Sequence, residues 1–169
     1  LPIEERFDHL VAEQSMMLAR EFLRDSGGDA DPDVEAQRET VRFLLYRYEL
    51  DPSRYVYTDT VLSHVNSLRE EPMSEQTFRL KVVGKLRTHG VIIASSNEGY
   101  KIPNTTRDMD RFVRLVNRQA IPYISRLAVA RRQLHIASKG EYEIVSAEQY
   151  PELAECIRSI EKNSFEPLQ

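Results

Sequence analysis

The sequence predicts a mainly α-helical protein with one small β-hairpin and long flanking helices. Three observations support this fold class. Apolar side chains recur every three or four residues through most of the chain, which is the period of an α-helix. Residues 91–102 instead contain two short apolar or aromatic stretches on either side of a turn. Uncharged residues then repeat with a heptad period from 109 to 137, which is typical of a long helix packed against another helix.

The first fifty residues contain two predicted helices and a loop. Residues 1–25 show an amphipathic pattern whose apolar stripe includes Phe7 and Phe22. Residues 26–32 are small, acidic or proline, so they predict a loop without a packed side chain. The second helix is predicted over residues 33–50, where apolar side chains return at helical spacing.

A short strand and a third helix are predicted next. Residues 54–57 are expected to form a strand that pairs with the hairpin. A helix over 58–69 follows, and either Thr58 or Asp59 is expected to cap it, because a side-chain oxygen at that position can accept from a free amide of the first turn.

A fourth helix leads directly into the hairpin. It is predicted over residues 75–89, with Ser74 as its N-cap and Gly90 as a left-handed residue at its end. Gly99 is expected to have a positive φ at the end of the turn. The predicted strands of the hairpin are 91–95 and 100–102.

This order of elements resembles the winged helix-turn-helix, the fold of many bacterial and phage DNA-binding regulators. The residues that carry the resemblance are Ser74, Thr77, Leu86, Gly90, Val91, Ile92 and the hairpin sequence SSNEGYKI. The resemblance implies that helix 75–89 is the recognition helix, which enters the major groove, and that the hairpin is the wing. The duplex DNA contacts that it predicts are made by Gln76, Thr77, Lys81, Lys85, Thr88, Asn97 and Lys101. The alternative is a solvated helix face, or a winged helix that contacts only proteins.

The distribution of charge agrees with the predicted DNA contacts. Residues 74–139 contain 13 Lys or Arg against 4 Asp or Glu, whereas residues 1–39 contain 4 against 11. A basic central segment between acidic ends favours a surface that faces a polyanion. Chance clustering of basic side chains on exposed helices is the competing interpretation.

A long helix is predicted after the hairpin, from a cap at Thr105 to about Lys139. Its heptad positions predict a homodimer, or else internal packing against the N-terminal helix. Pro122 lies inside this helix, so a kink or two abutting helices are expected. The residues assigned to the dimer are Met109, Val113, Val116, Ala120, Tyr123, Leu127, Ala130 and Leu134.

The remaining residues complete a predicted division into three parts. Residues 141–145 are expected to form a short strand or an extended arm, and a final helix begins at Pro151. The predicted parts are an N-terminal helix with an acidic linker (1–32), a winged-helix domain (33–103) and a long helical extension with a C-terminal helix (104–169).

The sequence gives no sign of catalytic or metal chemistry. It has no phosphate-binding glycine loop, no nucleophile elbow and no zinc-ligand spacing, so we expect neither an enzyme nor a cofactor. No apolar run approaches the length of a membrane helix. A single cysteine excludes an internal disulfide, which favours a reducing cytoplasmic location. The single Cys156 is expected to be a small buried side chain.

A second resemblance concerns three longer phrases, LPIEERFDHLVAEQS, VRFLLYRYELDPSRYV and SSNEGYKIP. They are similar to C-terminal regions of prokaryotic proteins of unknown function whose preceding domain is RNase H-like. This resemblance implies that the chain is an accessory domain of a nuclease-like protein, with the nuclease carboxylates outside it. The chain begins at Leu1 rather than at an initiator methionine, which leaves open what precedes it.

Overall fold

The computed structural model describes residues 3–164 and the side chains of residues 4–163. The described chain is mainly helical, with one two-stranded antiparallel hairpin. It divides into two compact units, residues 1–115 and 116–169, and the division falls inside a helix. The three-part division that the sequence predicts, with boundaries after residues 32 and 103, differs from these two units and stays a prediction. None of the described helices is long and apolar enough to cross a membrane.

The first unit begins with three helices, which are α1 (Ile3–Asp25), α2 (Pro32–Leu50) and α3 (Thr58–Ser67). Asp31 caps α2, because its side chain accepts from the amide of Asp33. The predicted cap of α3 is wrong, since Tyr57 occupies the N-cap position without a side-chain bond and Thr58 is already helical. The turn after α3 is held by Asn66, whose amide exchanges two hydrogen bonds with the backbone of Met73 at 2.9 and 3.0 Å.

The fourth helical segment has three consecutive parts, namely α4 (Glu75–Thr77), a π-helical segment (Phe78–Val83) and α5 (Gly84–Thr88), which together we call helix 75–88. The predicted Ser74 cap is confirmed, because its hydroxyl accepts from the amide of Thr77 at 3.2 Å. Gly90 has a φ of 94°, as predicted.

The π-helical segment was not predicted. The amide of Gly84 donates to the carbonyl of Arg79, five residues earlier. Phe78 and Val83 are both buried although they are five residues apart, a spacing that an ordinary α-helix would place on diverging faces. The wider turn allows both side chains to enter one core.

The hairpin consists of β1 (Ala94–Ser96) and β2 (Gly99–Lys101), so its first strand is shorter than predicted. The predicted pairing of residues 54–57 with the hairpin is confirmed as a single antiparallel bridge between Val56 and Tyr100, with hydrogen bonds of 2.8 Å in both directions. Gly99 has a φ of 109°, and a Cβ there would lie 1.9 Å from the carbonyl oxygen of Val56. A side chain cannot be accommodated at this position.

The core of the first unit lies where helix 75–88 meets α2, α3 and the hairpin. Its largest fully buried side chains include Phe78, Leu44, Leu86, Ile93 and Ile102. The helix α6 (Thr106–Ala137) starts in this unit, where Asp8 of α1 accepts from both the amide and the hydroxyl of Thr106, at 2.6 and 2.8 Å. The predicted Thr105 cap is also present, since its hydroxyl accepts from the amide of Asp108.

The second unit contains the later part of α6 and the helix α7 (Pro151–Ser164). Its small core is formed by Ala128, Val145 and Ile157. Arg131 pairs with Glu143 and, at 3.3 Å, with Glu161, which joins the two helices and the segment between them. Residues 141–145 form no strand in the described chain, and Cys156 is exposed rather than buried. Pro122 lies within a continuous α6, so of the two expected outcomes the pair of abutting helices is wrong, and the kink stays a prediction.

Candidate nucleic-acid interface

The outward face of helix 75–88 carries most of the predicted DNA contacts. Gln76, Lys85 and Thr88 are exposed, and Thr77 is half-buried beside Ser74. The Thr88 hydroxyl donates to the carbonyl of Gly84 at 3.0 Å, which leaves the oxygen able to accept. These side chains offer amide, hydroxyl and ammonium groups, the types that contact phosphates and base edges.

Lys81 lies at the edge of this face. Its side chain is 60% exposed, and its ammonium is 3.9 Å from a carboxylate oxygen of Asp33 on α2. Its backbone carbonyl accepts from the side chain of Gln37 at 2.9 Å. An exposed pair at this distance is weak, so Lys81 remains able to contact a phosphate.

Lys101 does not belong to the exposed set, and its prediction as a wing contact is corrected. Its side chain is only 4% exposed, and its ammonium lies 2.7 Å from Asp108 and 2.8 Å from the Asn104 side chain. The first turn of α6 covers this side of the hairpin, so the lysine is held inside the protein and away from DNA.

A buried network surrounds this ion pair. The hydroxyl of Tyr55 and the amide of Asn104 both donate to Asp108, at 3.0 and 3.1 Å. Burial alone would raise the pKa of Asp108, but these donors and Lys101 lower it below its ordinary value of 3.8. Burial and the charge of Asp108 raise the pKa of Tyr55. The network fixes the hairpin to the start of α6.

Arg87 is a second basic residue that the structure uses internally. Its guanidinium donates to the carbonyl of Ile93 and the hydroxyl of Ser95, at 2.8 and 2.6 Å. It also lies 4.4 Å from the ring centroid of Phe112. Desolvation lowers its pKa. Arg87 and Lys101 therefore contribute to the basic charge of the sequence without contributing to the exposed face.

The tip of the hairpin contains Asn97 and Glu98, both exposed. Asn97 therefore lies at the exposed tip of the hairpin, and its role as a DNA contact stays a prediction. Glu98 lies 3.7 Å from Arg111 of α6, so part of its negative charge is balanced locally.

A cleft beside the hairpin contains two arginines that the sequence did not single out. Arg47 and Arg54 line it together with Thr60, the exposed Tyr57 and Glu98, and its volume is about 360 Å³. Arg54 begins the stretch 54–57 that was predicted to pair with the hairpin, and the cleft that it shares with Arg47 makes it a candidate phosphate contact.

The predicted dimer positions on α6 differ in exposure. Val113, Val116, Tyr123 and Leu134 are 63%, 47%, 76% and 42% exposed. Leu127 instead packs on the core of the second unit, against the cluster that contains Ala128. Internal packing therefore uses Leu127 and leaves several other members of the heptad series exposed.

Comparisons with protein-family models, curated proteins and solved structures found no match. Within residues 3–164, no group of three or more His, Cys, Asp or Glu side chains could hold a metal ion. The arrangement of the first unit is therefore the basis on which a function can be argued.

Proposed function

We propose that residues 33–103 form a winged helix-turn-helix that binds duplex DNA. The observation that carries the proposal is the order of α2, the Val56 bridge, α3, helix 75–88 and the hairpin, with Val56 paired to the returning strand at Tyr100. In such a unit the helix before the hairpin lies in the major groove and the hairpin contacts the flanking backbone.

The proposed contact set follows from exposure. It comprises Gln76, Thr77, Lys81, Lys85 and Thr88 on the helix and Asn97 at the hairpin tip, without Lys101. Gln76 is suited to an adenine edge, because its amide can both donate and accept. Lys85 is suited to a phosphate, because it is exposed and forms no ion pair with a described residue.

The test is a fluorescence anisotropy titration with a random 20-base-pair duplex at several salt concentrations. We expect Lys85→Glu to weaken binding and to reduce the slope of log K against log salt by about 0.9, since one phosphate contact is lost. Lys162→Glu on α7 is the matched control, because it changes the charge equally at an exposed lysine of the second unit. Equal effects of the two variants, or no binding by the unaltered protein, would contradict the proposal.

A second candidate function is self-association through α6. The exposed apolar side chains of Val116 and Tyr123 lie seven residues apart on α6 in the second unit, which places them on one face of the helix, and burial of such side chains stabilises a helix pair. A two-fold dimer would carry two copies of helix 75–88, one for each half-site of a two-fold symmetric duplex.

Tyr123→Glu tests this second function. Tyr123 is 76% exposed, so the change should leave the fold intact while placing a carboxylate in the proposed seam. We expect multi-angle light scattering to show a dimer for the unaltered protein and a monomer for the variant. Leu127→Asp would not separate assembly from stability, because Leu127 packs against the core of the second unit. A weak dimer with a Kd of ~10 µM is mostly associated at about 200 µM protein. An unaltered protein that is still monomeric at that concentration would refute self-association.

A further inference from the structure

Leu80 is a large apolar side chain that lies exposed on helix 75–88. It is 65% exposed, whereas Phe78, Val82 and Leu86 of the same helix are completely buried. The proposed DNA contacts do not include it. Because a leucine side chain can neither donate nor accept a hydrogen bond, it recognises a partner through apolar contact alone.

Leu80 belongs to a row of residues along the outer side of the helix, which we call the outer row. Its members are spaced four positions apart, and they are Gln76, Leu80, Gly84 and Thr88. Each of the first three is followed two positions later by a completely buried residue, and two positions are about half a helical turn. The outer row therefore lies opposite the buried side of the helix, along the line that projects furthest from the core.

The other members and the flank of the outer row suit the major groove. Gln76 is exposed, and its amide can pair with an adenine edge. Gly84 is half-buried and has no side chain, so the backbone at the middle of the row can approach a partner closely. Lys81 and Lys85 each follow a member of the row by one position, which places them on its flank, where an ammonium group contacts phosphate rather than a base.

The chemistry of the groove indicates what an exposed leucine in this row contacts. The apolar group that base edges present in the major groove is the C5 methyl of thymine. We propose that Leu80 contacts a thymine methyl, an inference that rests on the proposed DNA function and specifies its substrate. Leu80 lies one turn after Gln76, about 6 Å along the helix, and successive bases of a strand are about 3.4 Å apart. The preferred duplex therefore has an A·T pair for each of the two side chains, one or two steps apart.

Exposure alone does not distinguish Leu80 from other surface leucines. Leu50 at the end of α2 is also 65% exposed, and single exposed apolar side chains are common on proteins. Leu50 lies outside the outer row, so Leu50→Ala is the matched control for Leu80→Ala. Both variants remove the same atoms at equal exposure and introduce a good helix former, so both should stay folded.

The experiment removes the thymine methyl itself. Selection from a random-sequence duplex library gives the preferred duplex, and each of its thymidines is then replaced in turn by deoxyuridine, which lacks only the C5 methyl. We expect at least one replacement to weaken binding by the unaltered protein about fourfold, the effect of removing one methyl group from an apolar contact. Leu80→Ala should bind the thymidine and deoxyuridine duplexes equally, whereas Leu50→Ala should keep the difference.

The possible results separate the Leu80 contact from DNA binding as such. A protein that binds no duplex refutes both. A protein that binds duplex DNA but selects no sequence, or that tolerates every deoxyuridine, refutes the Leu80 contact and leaves DNA binding in place. A deoxyuridine effect that persists in Leu80→Ala, or that disappears equally in Leu50→Ala, would also refute the contact. Circular dichroism of each variant verifies that the helices remain folded.

Discussion

Replacement of Asp108 by asparagine should strongly destabilise the first unit. The carboxylate is 8% exposed and neutralises Lys101, which is 4% exposed. Removal of one partner leaves a buried ammonium without its counter-ion, which costs about 3–5 kcal/mol. In the orientation in which the asparagine oxygen accepts from Tyr55, its NH₂ group faces the amide of Asn104 and the ammonium of Lys101, which are both donors.

Asp110→Asn is the matched control for this change. Asp110 also pairs with a basic residue, Arg114, at 3.1 Å, but the two side chains are 66% and 79% exposed. An exposed pair of this kind contributes about 0–1 kcal/mol. The two variants differ by two positions and carry the same chemical change, so burial is the variable that the comparison isolates.

Urea unfolding at pH 7, followed by circular dichroism, measures both effects. We expect Asp108→Asn to lower the free energy of unfolding by at least about 3 kcal/mol and Asp110→Asn by at most about 1 kcal/mol. Addition of Lys101→Met to Asp108→Asn should restore part of the loss, because no buried charge then remains. A loss no larger than that of Asp110→Asn would refute the view that the buried pair fixes the hairpin to α6.

Two further predictions concern the same unit. Gly99→Ala should destabilise the protein by at least about 2 kcal/mol and Gly90→Ala by only about 1 kcal/mol. Both glycines have a positive φ, but only at Gly99 would the added methyl group also clash with the Val56 carbonyl. Similar shifts of the melting temperature in the two variants would contradict this explanation. Acid should also destabilise the unit, because the pKa of Asp108 is lower in the folded protein than its ordinary value of 3.8. The carboxylate therefore contributes its full stabilisation above pH 3.8, and this stabilisation is lost as the pH falls through the lowered pKa. Stability measured from pH 5 to pH 2 should fall less steeply in Asp108→Asn, and an unchanged slope would contradict the assignment.

Local sequence signals predicted the helix ends, the turns and the order of elements in the first unit. Ser74, Gly90 and Gly99 were predictable because capping and positive φ depend on the residue itself and its nearest neighbours. The bridge at Val56 was predictable because a short β-branched and aromatic stretch has few alternative partners in a helical chain. The first strand came out shorter than predicted, since apolar composition alone does not separate a strand from a buried extended segment.

The sequence alone could not distinguish the exposed basic residues of the candidate interface from the buried ones. Lys101 and Lys85 carry the same charge, yet one is buried against Asp108 and the other is exposed. The difference arises from α6, which returns over the hairpin and brings in a carboxylate. Arg87 is a comparable case, because its carbonyl and hydroxyl acceptors come from the segment after the helix. These pairs join residues six to eight positions apart in different segments, so neither a helical nor a strand period predicts them.

The π-helical segment makes the two ends of helix 75–88 depend on a single inserted position. An α-helix turns about 100° per residue, and the wider turn of Phe78–Val83 takes up one residue more than an α-helix would over the same stretch. The same residues wound as a regular α-helix would therefore rotate Lys85 and Thr88 by about 100° relative to Gln76. The direction in which these exposed side chains point is thus set by the hydrogen-bond pattern of the buried backbone as much as by residue identity, because two chains with the same surface residues would present different patterns if only one of them kept the wide turn.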